Sequence, residues 1–168
     1  MTKERTAEII GLFSLTYPYA DIFKAADAED LKRKQAALIG VWTAALPDVE
    51  DWVAVLAANL CLRRCKFLPT VAEFREAADE IQRKFENEAH EAYVRARDAV
   101  ACFPGKEEKM MGPRAWTVIQ AMGGLDAFAP IGKSYDMYRF QETYMAMLRK
   151  IPETLPAQKL RELVGRKK

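Results

Sequence analysis

The sequence predicts an all-α protein, in which an N-terminal four-helix unit is joined by a long helix to a smaller C-terminal helical module. Three observations predict this fold class. Apolar residues recur at spacings of three, four and seven through most of the chain. Proline or glycine separates the periodic segments, close to residues that typically start or stop helices. No stretch has the sustained alternation of β-branched residues that is typical of a strand.

The first two helices are predicted before Pro47. The first has the apolar stripe Ile9, Leu12, Phe13 and Leu15. It ends at Tyr17-Pro18, because the residue before a proline is pushed out of the α region. The segment Asp27-Ala28-Glu29-Asp30 starts the second helix by placing acidic groups beside its free amides. Its stripe is Leu31, Leu38, Trp42 and Ala45.

The third and fourth helices follow. Asp48 is expected to cap the third, whose stripe is Val49, Trp52, Val53, Leu56 and Leu60. Thr70 and Glu73 form a capping box at the start of the fourth helix. Its apolar stripe thins to alanines beyond Asn87. A helix that continues to Pro104-Gly105 exceeds the usual length, so we expect it either to break near Asn87 or to leave one core and enter a second.

The predicted boundary between the two modules lies at Pro104-Gly105, the end of the fourth helix, which gives domains 1–104 and 105–168. A charged linker, Lys106–Gly112, is expected to lead to a short helix that begins at Pro113 and ends at Gly123-Gly124. The last helix is predicted from Ser134 to Lys150. One face of that helix has Met137, Phe140, Tyr144, Met147 and Ile151.

Composition predicts a globular protein of the reducing cytoplasm. Half of the residues are hydrophobic and 30% are charged, which separates the chain from disordered sequences. The formal net charge is only +2, so any contact with DNA is expected to be weak. The three cysteines are expected to be free thiols, because no secretory signal opens the chain. No apolar stretch reaches the roughly 20 residues that cross a bilayer, so no membrane contact is expected.

The sequence predicts no catalytic, metal or cofactor site. Cys61 and Cys65 lie one helical turn apart, but a strong zinc signal has two close pairs of ligands. His90 is the only histidine, and no nucleophile signature stands beside it. The segment Ala127–Ser134 has the spacing of a phosphate-binding loop but follows glycines instead of a strand. We therefore expect a protein that acts by binding and is not an enzyme.

Two stretches carry a resemblance to a known family. In the first, the Tyr17-Pro18 hinge and the helices of Trp42 and Trp52 precede the segment Lys66–Ala77. This stretch resembles the N-terminal domain of phage replicative-helicase loader/inhibitor proteins, which have a similar lysine-phenylalanine-x-proline-threonine turn before a helix. In the second, two segments are similar to C-terminal regions of phage replication proteins: Trp116–Gly124, and Tyr138-Arg139-Phe140 with Tyr144.

The resemblance implies a non-enzymatic replication protein that binds a hexameric replicative helicase. Such a protein loads the helicase at an origin complex, holds it inactive, or does both, and an origin-binding replication protein is a further implied partner. In the family the helicase-binding segment is poorly ordered when free. This sequence departs from that pattern, because its C-terminal half is too apolar for a disordered tail, with Trp116, Phe128, Tyr135, Phe140 and Tyr144.

Two regions are candidates for partner binding. On the last helix, five residues fall off the apolar stripe and are expected either to form an outward face or partly to pack in the core: Tyr135, Tyr138, Arg139, Glu142 and Met145. In the tail, three residues form an amphipathic stub: Leu160, Leu163 and Val164. Two other functions stay open. One is direct DNA binding, for which an exposed basic stripe through Arg63, Arg64 and Lys66 would argue. The other is binding of a different host factor by a phage protein.

Overall fold

The computed structural model describes residues 1–129 and 136–149, and this part of the chain is helical with no β-strand. Its α-helices are α1 Lys3–Thr16, α2 Ala28–Ala45, α3 Asp51–Arg64, α4 Val71–Cys102, α5 Glu107–Met111, α6 Pro113–Met122, α7 Leu125–Phe128 and α8 Met137–Leu148. A short 3₁₀ turn lies at Asp21–Phe23. The predicted all-α class is therefore confirmed. No helix in this part is both long and apolar enough to span a membrane.

The local start and stop signals act as the sequence predicted. Asp27 accepts hydrogen bonds from two amides in the first turn of α2. At α4, the Glu73 carboxylate accepts from the Thr70 amide at 2.7 Å, and the Thr70 hydroxyl accepts from the Glu73 amide at 3.2 Å. Gly123 ends α6 at a φ of +108°, in the left-handed region that favours glycine. These predictions are confirmed because each depends only on neighbours within the same turn.

Contacts divide the chain into two units, with the division between residues 82 and 83. Helix α4 is continuous through Asn87, so the predicted break there is wrong. The alternative is confirmed, because α4 contributes Phe74 to the first core and Ala92 and Ala96 to a second. The sequence placed the boundary after residue 104, whereas the contacts place it inside α4. The reason is that the alanines beyond Asn87 are buried in the second core.

The first unit, residues 1–82, has a core of aromatic rings. Phe13 of α1, Trp42 of α2 and Phe74 of α4 contact one another edge to face. Their ring centroids are 5.9 Å, 6.4 Å and 5.1 Å apart for the three pairs. Helix α3 packs beside them mainly through small side chains: Val53, Ala54, Val55, Ala57, Ala58 and Cys61.

The second unit begins at residue 83. Its part of α4 buries a row of alanines: Ala89, Ala92, Ala96 and Ala99. Three rings supply most of the remaining volume, with Tyr93 5.9 Å from Phe140, and Phe140 5.6 Å from Phe128. Helices α6 and α8 complete this core through Ile119 and Tyr144. Of the aromatic residues that argued against a disordered C-terminal half, Phe128, Phe140 and Tyr144 are core residues of this unit. Trp116 is half-buried against this core, and Tyr135 lies outside the described residues.

Three predictions for the first unit are wrong. Helix α3 begins at Asp51 and not directly after Asp48, because the Asp48 carboxylate pairs with Arg75 at 2.8 Å instead of capping. Leu15 is 65% exposed, since it lies about 200° around the helix from the buried Phe13. Ala45, the last residue of α2, is also exposed.

The predicted linker 106–112 contains helix α5. Glu107 and Glu108 lie in its first turn, where negative charge is favourable, and Met111 is buried in the second core. The sequence did not predict α7, which buries Phe128. Helix α8 covers the middle of the last predicted helix, whose two ends lie outside the described residues.

Candidate functional site

Helix α8 presents the C-terminal residues that the sequence singled out. Asp136 caps it, because its side chain accepts from the Arg139 amide at 2.9 Å. Phe140, Tyr144 and Leu148 recur every four residues and are buried, so this face of α8 belongs to the second core. The opposite face therefore points away from that core.

Tyr138 and Glu142 form what we call the α8 outer face, and the exposed Met137 lies beside it in the first turn of the helix. Tyr138 is 74% exposed and Met137 is 43% exposed, and Glu142 is exposed as well. The sequence placed Met137 on the buried stripe, and that prediction is wrong, because Met137 lies in the first turn of α8 beyond the edge of the core. Met145 is half-buried and packs against the second core. Tyr138 gives the α8 outer face an aromatic anchor beside the charged Glu142, and Met137 adds exposed apolar surface at the start of the helix.

Arg139 has a structural role that the sequence did not show. Its guanidinium donates to the Met122 carbonyl at 3.1 Å, at the C-terminal end of α6. That carbonyl is one of the helix-end acceptors that α6 cannot satisfy internally. The side chain thus ties α8 to α6, and we expect it to contribute less to a partner than Tyr138. Four other predicted contact residues lie outside the described part of the chain: Tyr135, Leu160, Leu163 and Val164.

A polar cluster beneath α8 joins three elements of the second unit. The Tyr144 hydroxyl donates to the Glu88 carboxylate at 2.7 Å, and Arg114 pairs with the same carboxylate. Burial, and then the hydrogen bond with Glu88, raise the pKa of Tyr144. The exposed His90 contacts Gln141, with 3.3 Å between Nδ1 and Nε2. The arrangement links α4, α6 and α8, and each polar group has a structural partner.

The basic cluster of the first unit is not a continuous stripe. Arg64 makes two hydrogen bonds with the Glu80 carboxylate, at 2.6 Å and 2.9 Å. The Lys66 ammonium lies 5.8 Å from the centre of the Phe67 ring. Arg63 is exposed at the end of α3. Since Arg64 is already paired with an acid, the geometry gives little support to a DNA contact at these residues.

The basic cluster borders a cleft of about 580 Å³ between the end of α3 and the start of α4. Its floor is apolar and includes Leu60, Cys61 and Ala77. Burial, and then Cys65, raise the pKa of the Cys61 thiol to about 12, so this thiol stays protonated. Phe67 stands at the rim and is 75% exposed. A single exposed apolar side chain is common on protein surfaces, so it is the position of Phe67 beside an apolar floor that makes this cleft a candidate binding surface.

The three cysteines are free thiols, as expected: Cys61 is buried and Cys65 is half-buried at the end of α3, and Cys102 is exposed. In the described part of the chain, no three histidine, cysteine or acidic side chains lie close enough together to hold a metal ion.

Sequence reasoning missed the cleft and the exposed Phe67. The available signal was the position of Phe67 two residues before Pro69, in a loop where no helical stripe requires an apolar residue. The partners of Glu88 carried no such signal, because Arg114 and Tyr144 are far from it along the chain. Protein-family models, characterised proteins and solved structures give no match to this chain.

Proposed function

We propose that this chain is a non-enzymatic DNA-replication accessory protein of the cytoplasm, or of the host cytoplasm if a phage encodes it. In this proposal it binds a hexameric replicative helicase, and loads the helicase, inhibits it, or does both. The resemblance of two stretches to phage helicase loaders and replication proteins motivates the choice of partner. An origin-binding replication protein is the second partner that the proposal allows.

The observation that supports a binding role most directly is the α8 outer face. Tyr138 is 74% exposed on a helix whose other face is anchored in the second core. A rigid helix that presents an aromatic side chain loses little conformational entropy on binding, and tyrosine is enriched among residues that dominate interface energy. Met137 and Glu142 add an apolar contact and a charge that can select the partner surface.

The experiment is size-exclusion chromatography with light scattering, on mixtures of the full chain with the purified hexameric helicase of its own replication system. Mixtures are run with and without ATP, and the ATPase rate of the helicase is measured in parallel. We expect co-elution at a defined stoichiometry and a lower ATPase rate. Absence of a complex in both nucleotide conditions contradicts the proposal.

Two variants locate the contact. Tyr138→Ala is expected to raise the dissociation constant by about tenfold or more, as truncation of a central aromatic residue does. The matched control is Tyr19→Ala, because Tyr19 is 87% exposed and belongs to the first unit, whereas the α8 outer face belongs to the second. If both variants bind like the wild type, the helicase contact does not include the α8 outer face.

Direct DNA binding is distinguished by salt. A protein that contacts several phosphates loses affinity steeply as salt rises, because each contact releases counterions. We expect DNA binding to be weak, because Arg64 is already paired with Glu80 and the basic cluster is not a continuous stripe. Arg63→Glu should therefore change the affinity for DNA little. Tight, strongly salt-dependent DNA binding that is lost in Arg63→Glu would instead favour the DNA-binding function.

A further inference from the structure

The cleft between α3 and α4 is a second surface, and its charges have an unusual distribution. Five charged side chains line it: Arg64, Lys66, Glu73, Glu76 and Glu80. Three of them are already satisfied within the chain. Arg64 and Glu80 pair with each other, and Glu73 accepts from the Thr70 amide and hydroxyl in the capping box.

The two remaining charges have opposite signs and lie on opposite walls. Lys66 belongs to the loop after α3, and Glu76 is an exposed residue of α4. Neither makes an ion pair with another residue in the described part of the chain. An occupant that matches this cleft therefore carries an acidic group over the loop and a basic group over α4.

A second copy of this chain meets that requirement. A two-fold axis that runs along the cleft exchanges its two walls, so the loop of one copy faces α4 of the other. Lys66 of each copy then faces Glu76 of the other, as the self-complementarity of a two-fold interface requires. Phe67 belongs to the same loop, so each Phe67 ring then lies against the apolar floor of the opposite cleft.

We propose that the chain self-associates through this cleft, as a two-fold dimer in which Phe67 is the central apolar contact and Lys66 pairs with Glu76 across the interface. This inference does not rest on the proposed helicase partner. In such a dimer the Phe67 ring, which is 75% exposed in one copy, becomes buried against the apolar floor of the other. Lys66 and Glu76 each gain a partner of opposite charge.

The test is analytical ultracentrifugation of the full chain over a wide range of concentration. We expect a concentration-dependent dimer in the wild type. Phe67→Ala is expected to raise its dissociation constant by about 30-fold, the effect of removing a residue at the centre of an interface. Phe67 is largely exposed, so the variant should keep its fold. Tyr19→Ala is the control, because Tyr19 is exposed in the same unit but does not line the cleft.

A charge exchange tests the pairing itself. Lys66→Glu and Glu76→Lys each place two like charges together, and each is expected to weaken the dimer by about tenfold. The double variant restores the pair in reverse and should return the dissociation constant close to the wild-type value. If the double variant dimerises no more tightly than either single variant, the proposed geometry is overturned.

Alkylation of the cysteines gives an independent readout. Cys65 lines the cleft and is half-buried, whereas Cys102 is exposed in the second unit. In the wild type, the rate at which iodoacetamide modifies Cys65 should fall as the protein concentration rises. In Phe67→Ala this rate should not depend on concentration. The rate of modification of Cys102 should be independent of concentration in both proteins. A chain that is monomeric at every concentration, or a dimer that Phe67→Ala does not weaken, overturns the proposal. A monomer would leave the cleft to a segment of another protein.

Discussion

The two units differ in how the same helix fills their cores. In the first unit, α4 contributes the large Phe74, whose ring contacts those of Phe13 and Trp42. In the second unit, α4 contributes a row of alanines and one ring, Tyr93, and the other two rings come from the shorter elements that carry Phe128 and Phe140. Helix α4 thus places a large ring, Phe74, at the centre of the first core, whereas its buried residues in the second core are mostly alanines that allow close approach of the neighbouring helices.

This difference predicts opposite sensitivities to side-chain size along one helix. Where α4 supplies volume, a smaller residue leaves a cavity, because a close-packed core collapses only in part around the gap. Where α4 supplies a narrow surface, a larger residue forces the neighbouring elements apart or into strained rotamers. The comparison can therefore be tested with substitutions of opposite direction in the two units.

The largest effect is expected for Phe74→Ala. It removes a fully buried ring that contacts two others, and the free energy of unfolding of the first unit should fall by about 3–5 kcal/mol. Hydrogen exchange measured on peptides from α3 reports this loss, since α3 packs in the same core. Tyr19→Ala, at an exposed position, should change the exchange rates little. A loss as small as that of the control would show that the three rings do not hold this core together.

The second effect is expected for Ala96→Leu in the other unit. Ala96 is fully buried, so the larger side chain should lower the free energy of unfolding of the second unit by about 1–3 kcal/mol. Exchange measured on peptides from α6 checks the result. Ala101→Leu is the matched control, because Ala101 is an exposed residue of the same helix. Equal behaviour of the two variants would mean that the second core tolerates added volume, against the comparison.

The same contrast explains what the sequence could predict. The capping box of Thr70 and Glu73 was predicted because both partners lie within one turn. The second core was only half predicted, since alanines in a row read equally as an exposed helix or as a close-packed face. The pairing of Glu88 with Arg114, 26 residues apart, depends on tertiary structure and has no local signature.

The candidate surfaces follow the same division. Tyr138 was identified because it falls off the helical stripe of its own helix, which is a local property. The cleft beside Phe67 brings together the loop after α3 and the first turns of α4, and its shape depends on how two helices pack. Periodicity describes one helix at a time, so it predicted the first surface and not the second.

A smaller effect is expected at the polar cluster of the second unit. Tyr144→Phe removes the hydroxyl that donates to Glu88 at 2.7 Å and keeps the ring in the core. The free energy of unfolding should fall by about 1–2 kcal/mol, less than a lost ring costs, because Glu88 keeps its pairing with Arg114. Chemical denaturation measures the change. Tyr138→Phe is the control, since this hydroxyl is exposed and has no acceptor among the described residues. An equal loss in both variants would contradict a specific role of the Glu88 bond.

The smallest effect is expected at the ion pair of the first unit, and it depends on pH. The hydrogen bonds from Arg75 are the largest cause that lowers the pKa of Asp48, from 3.8 to about 2. A carboxyl whose pKa is lower in the folded state stabilises the fold fully above its unfolded pKa. This stabilisation is lost as the pH falls from 3.8 through about 2.

Asp48→Asn should therefore be slightly less stable than the wild type at pH 5 and should approach it as the pH falls toward 2. Arg75→Gln should lower the stability in the same pH-dependent way. The double variant should be no less stable than either single variant, because both changes delete the same interaction. Thermal unfolding of the four proteins across this pH range measures the coupling. If the difference between the wild type and Asp48→Asn does not change with pH, the ion pair does not stabilise the end of α2 against α4. The first unit would then owe the packing of α4 at this position to its aromatic core and not to the pair of Asp48 with Arg75.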